Sequence, residues 1–209
     1  MEPRASLPAL AGPVALVPVK GFRAAKRRLA PALDPSERAR LARRMAEHVL
    51  RAASPLVVAV VCDDPEVANW AAQRGALLLE EPGLGLNGAV TAGVDALASA
   101  GADEVLVAHA DLPLASRLAD LAGRGGVTLV PDRREDGTNV ACVPSRSGFH
   151  FSYGPGSFER HTREAQRLGL ELRIVRDTDL SWDVDFPADI PESLRSGTPV
   201  SRDGATNER

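Results

Sequence analysis

Short apolar blocks rich in β-branched residues recur along this chain, separated by longer stretches whose apolar positions fall three or four apart. Residues 14–19 are the first block and predict a buried strand. A polar loop over residues 20–33 follows. Asp34 then precedes Pro35, with Glu37 three positions on, the pattern of a helix start with a capping box. The helix is predicted to run to about Ala53, with Leu41, Met45, Val49 and Leu50 as its core stripe. Residues 56–62 predict a second strand. Asp64-Pro65-Glu66 opens a short helix that Gly75 ends, and residues 76–80 predict a third strand.

The alternation continues through a glycine-rich loop at 83–88, a helix over 87–100 and a fourth strand over 104–109. A helix over 114–122 and a strand over 127–131 are expected next. Strands alternating with helices predict an α/β sandwich, a mostly parallel sheet covered on both faces. After Asp132 the rhythm changes. Residues 138–143 read as a strand with little room before it for a crossover helix, so an antiparallel insertion is expected. A helix over 156–168, a strand over 171–175 and a short helix over 187–194 complete one domain, 1–194. Residues 195–209 lack periodicity and predict a disordered tail.

Composition narrows the class. An apolar fraction of 44% in 209 residues suits one soluble globular domain. A net charge of −3 argues against a dedicated nucleic-acid binder. Lys and Arg concentrate between 20 and 51, whereas acids follow the later strands. A basic lip opposite acidic loops suits polyphosphate with a metal, although a solvated helix face accounts for most of 38–51. Cys62 and Cys142 have no CxxC spacing and read as buried thiols of a reducing cytoplasm. No apolar run approaches the roughly 18 residues of a membrane span, and no secretory signal is legible.

Ligands of open parallel sheets collect beyond the carboxyl ends of the strands. The loop after the first strand carries Lys20, Arg23, Lys26, Arg27 and Arg28, cations able to neutralise a triphosphate. It has neither a Walker nor a dinucleotide fingerprint; surface solubility is the alternative. Asp111 ends the fourth strand and reads equally as a magnesium ligand or a helix cap. Asp183-Val184-Asp185 in an extended segment would place two carboxylates on one face, with a cap on the helix at Pro187 as the alternative. Thr138-Asn139 supplies a hydroxyl and an amide at a strand start. Gly154-Pro155-Gly156-Ser157 precedes a helix and reads either as exposed N–H groups for an anion or as an ordinary turn with a Ser cap. His48, His109, His150 and His161 form no cluster, and no Ser-His-Asp arrangement is legible.

Taken together these segments resemble the guanylyltransferases of deazaflavin coenzyme (F-420) biosynthesis, which activate 2-phospho-L-lactate, phosphoenolpyruvate or a related phosphoacid with GTP. The matching segments are Val17-Pro18-Val19-Lys20 with Lys26, Gly85-Leu86-Asn87, Asp111-Leu112-Pro113, Asp136-Gly137-Thr138-Asn139, Gly154 through His161 (GPGSFERH) and Asp183-Val184-Asp185. The resemblance implies a nucleotide-diphospho-sugar-transferase type of sandwich. It implies Thr138, Gly154 and Ser157 at the phosphoacid, and Asp111 and Asp183 as magnesium ligands with Asp185 helping. Gly85 and Asn87 would lie near the nucleotide with Lys20, Arg23 and Lys26, and Lys20, Lys26 and Asp111 would carry catalysis. A homodimer is compatible with it. Abundant Ala and Arg with scarce Lys imply a GC-rich source, which favours phosphoenolpyruvate. The chain departs from the family pattern at His109-Ala110, where a glycine is common, at Gly88 and at Phe186. A molybdopterin guanylyltransferase or sugar-phosphate nucleotidyltransferase would usually carry a glycine-rich first loop, absent here. A non-catalytic nucleotide-binding domain would leave the three strand-end acids unexplained.

Overall fold

The computed structural model describes residues 7–81 and 83–195. The first strand, β1, spans Pro13–Pro18. Its residues alternate between two cores: Ala15 and Val17 enter one, Val14 and Leu16 the other. A strand buried on both faces has to be apolar throughout, which is why the periodicity here is a block and not an alternation. Helix α1 (Pro35–Ala52) starts at Asp34, whose carboxylate accepts from the Glu37 N–H at 2.8 Å while Glu37 reaches back to the Asp34 N–H. Leu41, Met45 and Val49 of its stripe are buried and Leu50 is half-buried.

Strand β2 (Val57–Cys62), helix α2 (Pro65–Ala72), β3 (Leu77–Glu80), α3 (Gly85–Ala100) and β4 (Glu104–Ala108) follow in the expected order. Then come β5 (Val127–Pro131), β6 (Thr138–Pro144), α4 (Ser157–Arg167), β7 (Leu172–Ile174) and α5 (Glu192–Arg195). The sheet order is β3-β2-β1-β4-β6-β5-β7. Only β6 runs against its neighbours, antiparallel to both β4 and β5. Helices α1 and α2 cover one face, and α3 and α4 the other. Among the described residues no helix is long and apolar enough to cross a membrane.

Two expected helices are not continuous. Over 114–122 only Leu118–Leu121 is helical, as a 3-10 turn, and Arg117 before it sits at φ 53°. Leu112, Ala115, Leu118 and Leu121 are all buried, so the segment is anchored by its apolar side chains without being helical throughout. Over 187–194, Pro187–Asp189 is a 3-10 turn and α5 begins only at Glu192. Pro191 holds Ile190 in an extended conformation and interrupts the run. The predicted tail lies, after Arg195, outside the described residues.

Strand order reverses between β1 and β4, since the chain lays β2 and β3 on one side of β1 and the later strands on the other. That reversal opens a crevice at the carboxyl ends of β1 and β4. Because β6 runs antiparallel, its first residue, Thr138, lies at this same edge; the His109 N–H donates to the Asn139 carbonyl there at 3.0 Å.

Candidate functional site

A cavity of about 380 Å³ occupies the crevice, lined among others by Lys20, Lys26, Arg27, Arg28, His109 and Asp111. The loop that supplies its cations is held close to α2: a Cβ at Gly21 would collide with Asp64 Oδ2, the carboxylate that caps α2. Lys26 lies at φ 53°, a left-handed conformation unfavourable for a residue with a Cβ. That backbone turns its side chain inward, to 12% exposure. Its ammonium donates to Asp111 Oδ2 and, at 2.7 Å, to the Val184 carbonyl. One lysine thus joins the first strand-end loop, the fourth strand end and the Asp-Val-Asp segment.

Asp111 keeps one oxygen open. Its Oδ1 is buried with no partner among the described residues. Burial alone would raise this carboxyl, but Lys26 and His109 outweigh it and hold it below the ordinary carboxylate range. Asp183 moves the other way. Burial first, and then the Asp111 charge, raise it. Asp185 is bound to Arg28 at 2.7 Å and lies 3.8 Å from Lys26. Asp111 and Asp185 therefore stand around one lysine, and Asp183 feels the charge of both acids. Among the described residues no group of three or more His, Cys, Asp or Glu side chains is gathered tightly enough to hold a metal unaided. Asp185 does not cap the turn at Pro187 either. Asp189 does so from inside it, accepting from the Asp185 and Phe186 N–H groups at 3.1 and 2.7 Å and from Arg133 at 2.7 Å. Sequence reasoning missed Asp189, although an acid two residues after a proline turn was a signal.

Arg23 does not line the cavity: its side chain is 89% exposed and pairs with Glu66 at 3.3 Å. Arg27 and Arg28 take the place expected for it. In the glycine-rich loop, Gly85 begins α3 at φ 63° and Leu86 lines the cavity. Asn87 turns away and clamps a backbone: its Oδ1 accepts from the Tyr153 N–H at 2.7 Å and its Nδ2 donates to the Tyr153 carbonyl at 3.4 Å.

Thr138 and Ser157 do meet, the Thr138 N–H donating to Ser157 Oγ at 3.0 Å; both are 1% exposed. Gly154 sits at φ 119°, conformational space that favours glycine, and shapes the turn before α4. Of the two readings of that turn, free N–H groups for an anion do not hold for residues 156–158, whose N–H groups bond within the protein. Gly156 donates to Asp136 Oδ1, Ser157 to the Gly154 carbonyl and Phe158 to the Asp136 carbonyl. Between the two halves, the Tyr153 ring stands 4.9 Å from both His109 and His161.

Cations after the first strand and Asp111 after the fourth meet at one crevice of an α/β fold that solved nucleotidyltransferases share. Solved structures share the fold at low identity. A nucleotide-diphospho-sugar transferase from Desulfovibrio desulfuricans matches with a TM-score of 0.67 at 18% identity, over 83% of this chain and 82% of that one. A nucleotidyl transferase from Methanothermobacter matches with a TM-score of 0.59 at 15% identity, over 85% and 93%. The family profile described as "Guanylyl transferase CofC like" matches residues 14–201, and the chain belongs to this family. It is 40% identical to the phosphoenolpyruvate guanylyltransferase of Sphaerobacter thermophilus, over 90% of this chain and 94% of the relative. It is 35% identical to the 2-phospho-L-lactate guanylyltransferase of Methanothermobacter thermautotrophicus, over 88% and 84%.

Proposed function

We propose that the protein transfers GMP from GTP to a small phosphorylated acid, phosphoenolpyruvate ahead of 2-phospho-L-lactate, and releases diphosphate, as a cytoplasmic step of deazaflavin coenzyme F-420 formation. The observation that supports it best is Lys26, buried against Asp111 at the mouth of a cationic cavity. The higher identity to a phosphoenolpyruvate enzyme supports the choice of acid.

An oxygen of the acid's phosphate attacks the α-phosphorus of GTP. The new O–P bond forms as the bond from α-phosphorus to the bridging oxygen breaks, and diphosphate leaves with that electron pair. The attacking phosphate is already anionic near neutral pH, so no general base is needed. Positioning and charge neutralisation then carry the rate. Lys20, Lys26, Arg27 and Arg28 supply fixed positive charge along the cavity. The unpartnered Asp111 Oδ1 fits a divalent cation, with Asp183 beside it, and these two would hold Mg2+. When bound, the cation supplies further neutralisation of the phosphates. Asp185, held by Arg28, positions that arginine and Lys26.

The test is diphosphate release and product mass with GTP or ATP against each acid, with and without chelator. Guanylylated phosphoenolpyruvate should form, and Asp111→Asn or Asp183→Asn should abolish turnover in a folded protein. Near-normal release by either variant rejects the assignment. Sedimentation of the same preparation tests whether the protein is a homodimer.

A further inference from the structure

The pair Thr138 and Ser157 rests on a buried histidine. His161 is fully buried on α4, one helical turn after Ser157. Its Nε2 receives the Ser152 N–H at 2.9 Å, and its Nδ1 lies 3.0 Å from Thr138 Oγ1. A backbone N–H can only donate. Nε2 must therefore be an unprotonated acceptor, and the ring proton sits on Nδ1. Nδ1–H then donates to Thr138 Oγ1, so that oxygen's own hydrogen has to turn elsewhere. Ser157 is constrained in the same sense, because its Oγ accepts from the Thr138 N–H.

We infer that His161, locked in its Nδ1–H tautomer, is a positioning residue that makes the Thr138 hydroxyl an obligatory donor, and so orients the Thr138–Ser157 pair toward the phosphoacid. The inference rests on the proposed transfer to a phosphoacid and on the place at that acid which the family resemblance implies for the pair. Among the described residues neither hydroxyl donates to a protein acceptor. Two O–H groups that each already accept one protein hydrogen bond, and whose own hydrogens are unspent, suit an anionic phosphate or carboxylate. The tautomer is itself held from outside. Arg160 donates to the Ser152 carbonyl at 2.8 Å and to that of Pro155 at 2.6 Å, and Asn87 clamps the next peptide, so the Ser152 N–H cannot swing off Nε2. Asn87 and Arg160 thus serve the subsite through His161.

Two substitutions separate the ring nitrogens. His161→Asn can place an N–H near the Nδ1 position and retain the donor to Thr138. His161→Gln reaches toward the Nε2 position and leaves Thr138 without it. With purified protein, His161→Gln should lower kcat/KM for the acid by about 10- to 100-fold, the usual cost of losing a supporting hydrogen bond, with KM for GTP unchanged. His161→Asn should recover most of the loss. In a Thr138→Val background, His161→Gln should have no further effect, because its path runs through the hydroxyl. A long-range 1H–15N spectrum of the wild-type protein should show the proton on Nδ1.

A proton on Nε2 overturns the proposal, including where His161→Gln fails to fold. So does a folded His161→Gln with wild-type kcat/KM, or an additive loss on Thr138→Val. A wild-type protein that turns over neither acid overturns the functional reading and this proposal with it. Turnover by wild type that His161→Gln leaves untouched overturns this proposal alone.

Discussion

Lys26 and Arg23 lie three residues apart in one cationic loop, yet their side chains end in different surroundings. Lys26 accepts a left-handed backbone, a conformation that costs a non-glycine residue about 1–3 kcal/mol. The strain is retained where its ammonium meets Asp111 and the Val184 carbonyl, the place where charge is neutralised in the proposed reaction. Arg23, outside the cavity, should be dispensable. Arg23→Ala is expected to leave kcat/KM for GTP within about 3-fold, while Arg28→Ala, which removes a cavity cation, should lower it about 10-fold or more. Steady-state kinetics on the two variants decides between them. His161 gives a second residue-scale expectation. Burial first, then the Arg160 charge, lower its pKa from 6.5 to about 4. Between those values the unfolded chain binds a proton that the folded one does not. Stability is therefore complete above about pH 6.5 and falls as pH drops toward 4, by an amount on the order of 3 kcal/mol. Chemical denaturation at pH 7 and pH 4.5 measures the slope, which His161→Asn should largely remove.

At the scale of elements, the segment after β7 depends on one carboxylate. Asp189 receives the Asp185 and Phe186 N–H groups and Arg133, whose guanidinium also stacks 3.9 Å over Trp182. Asp189→Ala leaves those donors unsatisfied, and a loss of about 1–3 kcal/mol is expected. Activity should fall further than stability, because Asp183 and Asp185 are carried on the same turn. Thermal melting and turnover measured on one preparation separate the two effects. Local chemistry was legible for α1 and α2, whose Asp34 and Asp64 caps are contacts between residues two or three apart. The segment before β5 was not legible. Apolar positions three apart fit a helical face as well as an irregular segment, and Arg117 at φ 53° carries no sequence mark.

For the whole molecule, the decisive feature is the strand order. It brings Lys20 after β1, Asp111 after β4 and Thr138 at the start of β6 to one edge, although β6 runs the opposite way. A cavity assembled from such distant segments should be tightened by its ligand. GTP at about 100 times its Kd should stabilise the fold by about 2.7 kcal/mol, seen as a melting point several degrees higher. ATP at the same concentration should give a smaller shift, and equal shifts would count against guanine preference.

Alternating blocks and helical stripes determined the class of fold, the antiparallel insertion and most element boundaries, because period and caps are set by residues near in sequence. The same local segments carried the family resemblance and named Lys26, Asp111, Thr138 and Ser157. Tertiary structure decided which partner each side chain took. It set Arg28 at the rim of the cavity and Arg23 outside it, spent Asn87 on the Tyr153 backbone, set Asp185 against Arg28, and fixed the His161 proton on Nδ1. The reason is physical. A period specifies which face of an element is buried, whereas a hydrogen-bond partner at a strand end depends on which strands lie side by side and in what register, and no local pattern contains that.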